Sequence, residues 1–202
     1  VGLWSIHRLA AGDPHWWSPA LGNIPYFNKP PLGLWWAGLF AWIGGPGPAI
    51  VRLSQLVALC GMIVFTVASA SRLMGRRAAM YAGVILACTP DVATWLDSVI
   101  LDYLMVALIM AAVWMAVRAR DASTTARACA WFIGAGVPIG LAMLTKPLVP
   151  ILALPMLGAW IAASSRPSRW TVALVGLAAI PLACAVALPW HEAMWHLHGQ
   201  DF

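Results

Sequence analysis

Apolar residues along this chain come in long blocks rather than alternating with polar ones. Six blocks fall at residues 48–71, 78–95, 100–117, 128–144, 147–163 and 170–189. At about 1.5 Å of rise per helical residue and a hydrocarbon core of roughly 30 Å, each reads as a membrane span. The fourth and fifth are on the short side and contain Pro138, Pro150 and Pro155, so bent or tilted helices are expected there. A seventh block, 32–43, covers only some 18 Å as a helix and cannot cross. It carries Trp35, Trp36 and Trp42, and Gly44-Gly45-Pro46-Gly47-Pro48 breaks it. Indole rings prefer the membrane–water boundary, so this block predicts a helix lying at the interface.

Composition supports a membrane class. Hydrophobic residues make up 62% of the chain and charged residues 9%, with a mean hydropathy of +0.81. A soluble domain carries about 25% charged residues; so few could not cover a water-facing surface. The net charge of +5 does not point to nucleic acid, because the arginines sit in short clusters between apolar blocks instead of on one polar face. Cys60, Cys88, Cys129 and Cys184 all lie inside apolar blocks without metal-ligand spacing and read as small packing residues.

Charge then orients the spans. Arg72, Arg76 and Arg77 follow the first, Arg118, Arg120 and Arg127 the third, and Arg166 and Arg169 the fifth, eight of the twelve Lys and Arg residues. The positive-inside rule makes that side cytoplasmic. Asp121 is the one acid on it, whereas Asp13, Asp91, Asp97, Asp102, Glu192 and Asp201 fall opposite. The expected fold is an all-α polytopic membrane protein of about six transmembrane helices, with interfacial helices in its first periplasmic loop. The expected division is 1–47 as that loop, 48–189 as the helical bundle and 190–202 as the start of a further periplasmic loop. The chain begins at Val1 in a tryptophan-rich polar stretch and ends in another, so it reads as an internal piece of a longer protein.

Candidate chemistry gathers on the outer face. Lys29 precedes Pro30-Pro31, which hold it on a stiff turn near headgroup depth, where an ammonium suits a phosphate at the membrane surface. A lysine that only marks the interface is the plainer reading. Asp102 stands at the mouth of the third span, where a carboxylate is costly unless it faces a polar cavity or a partner. It is either a solvated loop acid or a general base or positioning group for a hydroxyl. Lys146, in Leu144-Thr145-Lys146-Pro147, is a snorkelling turn lysine or part of the same site. Arg52, near the outer start of the first span, has a carboxylate or a lipid phosphate as its natural partner. In the tail, Glu192 and His196 could share a divalent metal, but they do not form a His-Glu-x-x-His pattern, and an amphipathic interface helix is the default reading.

Residues 22–36, reading Gly-Asn-Ile-Pro-Tyr-Phe-Asn-Lys-Pro-Pro-Leu-Gly-Leu-Trp-Trp, resemble the end of the first periplasmic loop of C-type, polyprenyl-phosphate-sugar-dependent membrane glycosyltransferases. This group includes protein O-mannosyltransferases and the aminoarabinose transferases of lipid A. Val51-Arg52-Leu53, Val99-Ile100-Leu101-Asp102, Gly140-Leu141-Ala142-Met143-Leu144-Thr145-Lys146 and Leu188-Pro189-Trp190 are similar to further stretches of that family, in order and spacing, so the resemblance covers essentially the whole chain.

The resemblance implies a polyprenyl-phosphate-linked sugar as donor and a lipid, glycan or protein as acceptor, on the periplasmic side of a bacterial inner membrane. It implies Asp102 at the catalytic cavity and Lys29 on the donor phosphate, with Arg52 and Lys146 assisting. Tyr26, Asn28, Asp97 and His191 would line the substrate cavity. The family's main catalytic acid would fall upstream of Val1, so this piece alone is expected to be inactive. Asn28 stands where aminoarabinose enzymes tend to carry a metal-binding acid. No metal is therefore assigned here, and any divalent metal is left to the longer protein. A transporter or flippase of lipid-linked molecules is the competing class. It predicts midplane charges or inverted repeats, and the charged residues lie at span ends instead.

Overall fold

A computed structural model describes residues 13, 15, 17–21, 24–27, 29–45, 47–90, 92, 102–162, 174 and 177–201. Asn28 and Asp97 lie outside the described residues.

The first loop holds a feature that the all-helical expectation lacks. Strands β1 (Ala20–Leu21) and β2 (Ile24–Pro25) pair antiparallel, with Leu21 opposite Ile24. The sequence between them is Gly22-Asn23, a composition that two-residue hairpin turns favour. The Tyr26 N–H then donates to the Pro19 carbonyl over 2.8 Å and folds the loop back on itself.

Helix α1 (Leu32–Gly44) realises the short apolar block. It starts after Pro31, which needs no N–H there. It stops at Gly45, whose φ of 85° is open to glycine and strained for other residues. Helix α2 (Pro48–Met74) is the longest, with proline at its first position, and Gly75 (φ 87°) turns the chain directly into α3 (Arg76–Ala87). Helix α4 (Asp102–Asp121) follows. Thr124 caps α5 (Thr125–Gly134) by accepting from the Arg127 N–H at 3.3 Å.

The expected bends occur where proline removes backbone donors. Between α5 and α6 (Gly136–Met143) the helix breaks at Ala135, three residues before Pro138. Leu152 separates α7 (Leu148–Ile151) from α8 (Ala153–Ala162), between Pro150 and Pro155. Helix α9 (Ala179–His198) carries Pro189 inside and runs nine residues past the point where hydropathy ends the sixth block; a final 3-10 turn covers Gly199–Asp201.

Among the described residues three helical segments are long and apolar enough to cross a membrane: Pro48–Met74, Asp102–Asp121 and Thr125–Met143, the last combining α5 and α6. Packing runs in sequence across the molecule. Helix α2 lies on α1, α3 and α4, α4 on α5 and α6, and α6 on α9. At the α6–α9 seam the two backbones come very close. Ala179, Ala183 and Ala187 are fully buried along one face of α9. A Cβ added at Gly140 would lie 2.6 Å from the Ala183 carbonyl oxygen, and one at Gly136 would collide with that of Ala179. Small residues four apart let two backbones touch, as in tightly packed membrane helices. Opposite, Leu53, Leu56, Val57 and Val64 of α2 and Met80, Val84 and Ile85 of α3 are exposed, as residues are whose solvent is lipid.

Candidate functional site at one end of the helices

Three chain segments meet at the end where α4 begins. The first is the loop leading into α1. Pro30 and Pro31 are buried, whereas Tyr26 and Lys29 are half-buried. The second is the turn after α6. Thr145 is fully buried and its hydroxyl donates to the Ala142 carbonyl over 2.6 Å. Ala142 also accepts from the backbone N–H groups of Thr145 (2.9 Å) and Lys146 (3.1 Å), so the turn is firmly closed. One backbone bond joins these two segments: the Leu32 N–H donates to the Leu144 carbonyl at 2.9 Å.

The third segment is the first turn of α4. Lys146 Nζ lies 2.5 Å from Asp102 Oδ1, with both side chains around two-fifths exposed. The oxygen facing the ammonium is itself out of solvent and accepts no hydrogen bond of good angle, so the contact is an ion pair by distance. The structure thus brings Asp102 to Lys146 directly, and brings the Lys29 loop to the same junction through Leu32. Lys29 forms no ion pair with a described carboxylate. Arg52 is exposed on the first turns of α2, where the Trp36 indole N–H donates to the Ser54 carbonyl at 2.9 Å and ties α1 to α2.

The last helix closes over the first loop from the far end of the sequence. Trp190 Nε1–H donates to the Trp17 carbonyl at 3.1 Å, Ser18 Oγ lies 3.1 Å from His198 Nε2, and the Phe27 and His198 rings meet edge-on at 4.8 Å. His191 sits beside this contact. Its Nδ1 is 2.9 Å from the Ala187 carbonyl oxygen, so that nitrogen carries the proton, and its ring stands edge-on to Trp190. Sequence reasoning marked this region as histidine-rich but missed that His198 and Trp190 reach the first loop; their crowding with Trp195 and His196 was the available signal. Glu192 and His196 come no closer than 3.8 Å on an exposed face. Among the described residues no three metal-ligating side chains converge.

The other end of the helices has the opposite character. Arg72 at the end of α2 and Arg120 at the end of α4 both pair with Asp121, at 3.6 and 3.0 Å. The Arg118 guanidinium packs over Trp114 and Trp131, at 5.4 and 4.8 Å from their ring centres, and Arg120 lies over Trp160. The arginine-rich ends of α2 and α4 are together, as the charge pattern requires.

The undecaprenyl phosphate-alpha-4-amino-4-deoxy-L-arabinose arabinosyl transferase 1 of Sodalis glossinidius is 32% identical over 202 residues, covering 96% of this chain and 34% of that one. The corresponding transferase of Edwardsiella ictaluri is 29% identical, covering 98% and 35%. The chain thus spans about a third of the length of the curated relatives it matches. Two crystal structures of ArnT from Cupriavidus metallidurans superpose with a TM-score of 0.79 over 98% of this chain. The apo form is 20% identical with 36% of its own length covered, and the form bound to undecaprenyl phosphate is 22% identical with 37% covered. They share the fold. The sequence profile of one family, described as dolichyl-phosphate-mannose-protein mannosyltransferase, matches residues 28–191, from beside Lys29 to His191 within α9, and this chain belongs to that family.

Proposed function

We propose that the full-length protein is an integral-membrane glycosyltransferase that moves a sugar from a polyprenyl-phosphate donor to a lipid, glycan or protein acceptor. The observation that carries this reading is the junction of Asp102, Lys146 and the Lys29 loop at one end of the helices. It would offer the Lys146 ammonium, with Lys29 in the adjoining loop, to a lipid-borne phosphate and one carboxylate to a hydroxyl. The Lys146 ammonium, and that of Lys29 at the edge of the same junction, would hold the donor phosphate and stabilise the charge it gains as the sugar leaves. Arg52 would assist from α2. Asp102 would orient the acceptor hydroxyl or take its proton. Tyr26 and His191 would line the cavity, together with Asn28 and Asp97. The relatives named as undecaprenyl-phosphate-dependent aminoarabinose transferases support a polyprenyl-phosphate donor.

The topology proposed with it has six spans, taking 48–189 as the membrane bundle, 1–47 as a periplasmic loop with α1 at the interface, and 190 onward as the next periplasmic stretch. The arginine-rich end would face the cytoplasm of a bacterial inner membrane and the Asp102 end the periplasm. Reconstituting the full-length protein in vesicles with a labelled polyprenyl-phosphate sugar tests the reaction. Transfer of label to a lipid, glycan or protein acceptor is expected. Movement of the intact donor across the bilayer without transfer would replace the enzyme reading by a flippase.

A further inference from the structure

The Lys146 ammonium at the turn after α6 faces one carboxylate. Lys146 Nζ contacts Asp102 Oδ1, and a phosphate arriving at the same junction would compete for it. The pair is suited to exchange. A lysine ammonium is a compact charge on a flexible stem, and a partly solvated ion pair is weak. The backbone beneath it is fixed by the Thr145 hydroxyl and by the Leu32 to Leu144 bond. Movement therefore falls on the lysine side chain and not on the turn. The Asp102 oxygen that faces Lys146 is sheltered from solvent, and no described residue makes a hydrogen bond to it. Once the ammonium leaves, that oxygen has an unfilled need for a donor proton, which an acceptor hydroxyl can meet.

Resting on the glycosyltransferase reading, the geometry points to a donor-triggered exchange: in the empty enzyme Lys146 neutralises Asp102, and the donor phosphate takes Lys146 over and uncovers the carboxylate. Transfer breaks the bond between the anomeric carbon and the phosphate oxygen. The electron pair stays on the phosphate, which goes from one negative charge to two. The acceptor oxygen bonds the carbon and releases its proton to the uncovered carboxylate. Lys146 is then held most firmly by the departing phosphate, where charge has developed. The exchange orders the cycle, because Asp102 is available to the acceptor only after the donor is bound.

The sign of one binding change tests this. Undecaprenyl phosphate is titrated onto the full-length protein in detergent micelles, as wild type, Asp102→Asn, Lys146→Ala and the double variant. With its competitor removed, Asp102→Asn is expected to bind about fivefold tighter, about 1 kcal/mol. Lys146→Ala is expected to bind at least about tenfold more weakly. The double variant should match Lys146→Ala, because the gain requires the lysine. Weaker or unchanged binding by Asp102→Asn would overturn the exchange, since Asp102 would then be holding Lys146 in place for the phosphate. Asp102→Ser is read in the same way if the asparagine variant does not fold. A sugar-transfer assay on the wild type separates the two claims. Transfer with no tightening in Asp102→Asn sinks the exchange alone. Tightening without any transfer sinks the glycosyltransferase reading alone and leaves a phosphate-operated ion pair.

Discussion

The backbone N–H of Leu32 lies 2.9 Å from the carbonyl oxygen of Leu144 and donates to it. This bond fastens the first residue of α1 to the end of α6, more than a hundred residues later in the chain. Lys29 and Lys146 flank it, three residues before and two residues after its ends. Two lysines remote in sequence therefore share one backbone junction, and substitutions on either side of it have definite expected outcomes.

Replacing Lys29 by alanine in the full-length enzyme should raise the apparent donor KM by about tenfold or more, the scale of one charge-assisted hydrogen bond. Arginine at this position should recover part of the loss. Steady-state kinetics with varied donor checks it, and wild-type turnover in Lys29→Ala would remove the phosphate role.

Asp102→Asn should lower kcat strongly and leave the thermal unfolding temperature near that of wild type, because the ion pair it breaks is partly exposed. Unchanged turnover would make Asp102 a structural group only.

Gly140→Leu should prevent normal packing. Even a Cβ here would come 2.6 Å from the Ala183 carbonyl oxygen and 2.7 Å from Val186 Cβ. Gly140→Ala should cost about 1–3 kcal/mol through forced separation of α6 and α9. Unfolding in detergent and the yield of monodisperse protein report it. Gly47→Ala, where an added Cβ has open space, is the control.

Thr145→Val removes a fully buried hydroxyl but leaves Ala142 its two backbone donors. The loss of stability should be about 1 kcal/mol or less. Activity should fall further than stability does, because the hydroxyl closes the turn that carries Lys146. Comparing melting temperature with donor binding in one preparation separates the two effects.

Arg118→Leu should lower stability by about 1 kcal/mol through loss of its contacts with Trp114 and Trp131. Sugar transfer should be little changed, since Arg118 lies at the far end of α4 from Asp102. Parallel unfolding and transfer assays check both halves.

Much of this was legible from residue order. The block 32–43 was too short and too rich in tryptophan to be a span, and α1 ends within one residue of it. Pro138, Pro150 and Pro155 announced the breaks in α5–α6 and α7–α8, because a missing N–H acts locally. The clustering of Asp102, Lys146 and the Lys29 loop followed from their shared depth. Depth alone could not pair Lys146 with Asp102, or reveal the bond from Leu32 to Leu144, because such contacts depend on how helices rotate and pack. Gly140 shows the same limit. It read only as part of a stretch similar to the family, and its physical reason, contact with the α9 backbone, appears only when α6 and α9 are seen side by side. The reach of Trp190 to Trp17 was hidden because hydropathy ended the sixth block at 189, whereas backbone hydrogen bonding carries α9 on to His198.

The seam between α6 and α9 also limits the routes of approach to Lys146. Where Gly136 and Gly140 meet Ala179 and Ala183, the two backbones leave no space for even one methyl group. A prenyl chain is far wider than that. On the glycosyltransferase reading, a long-tailed donor lipid would not pass between these helices and would enter by another flank of the turn.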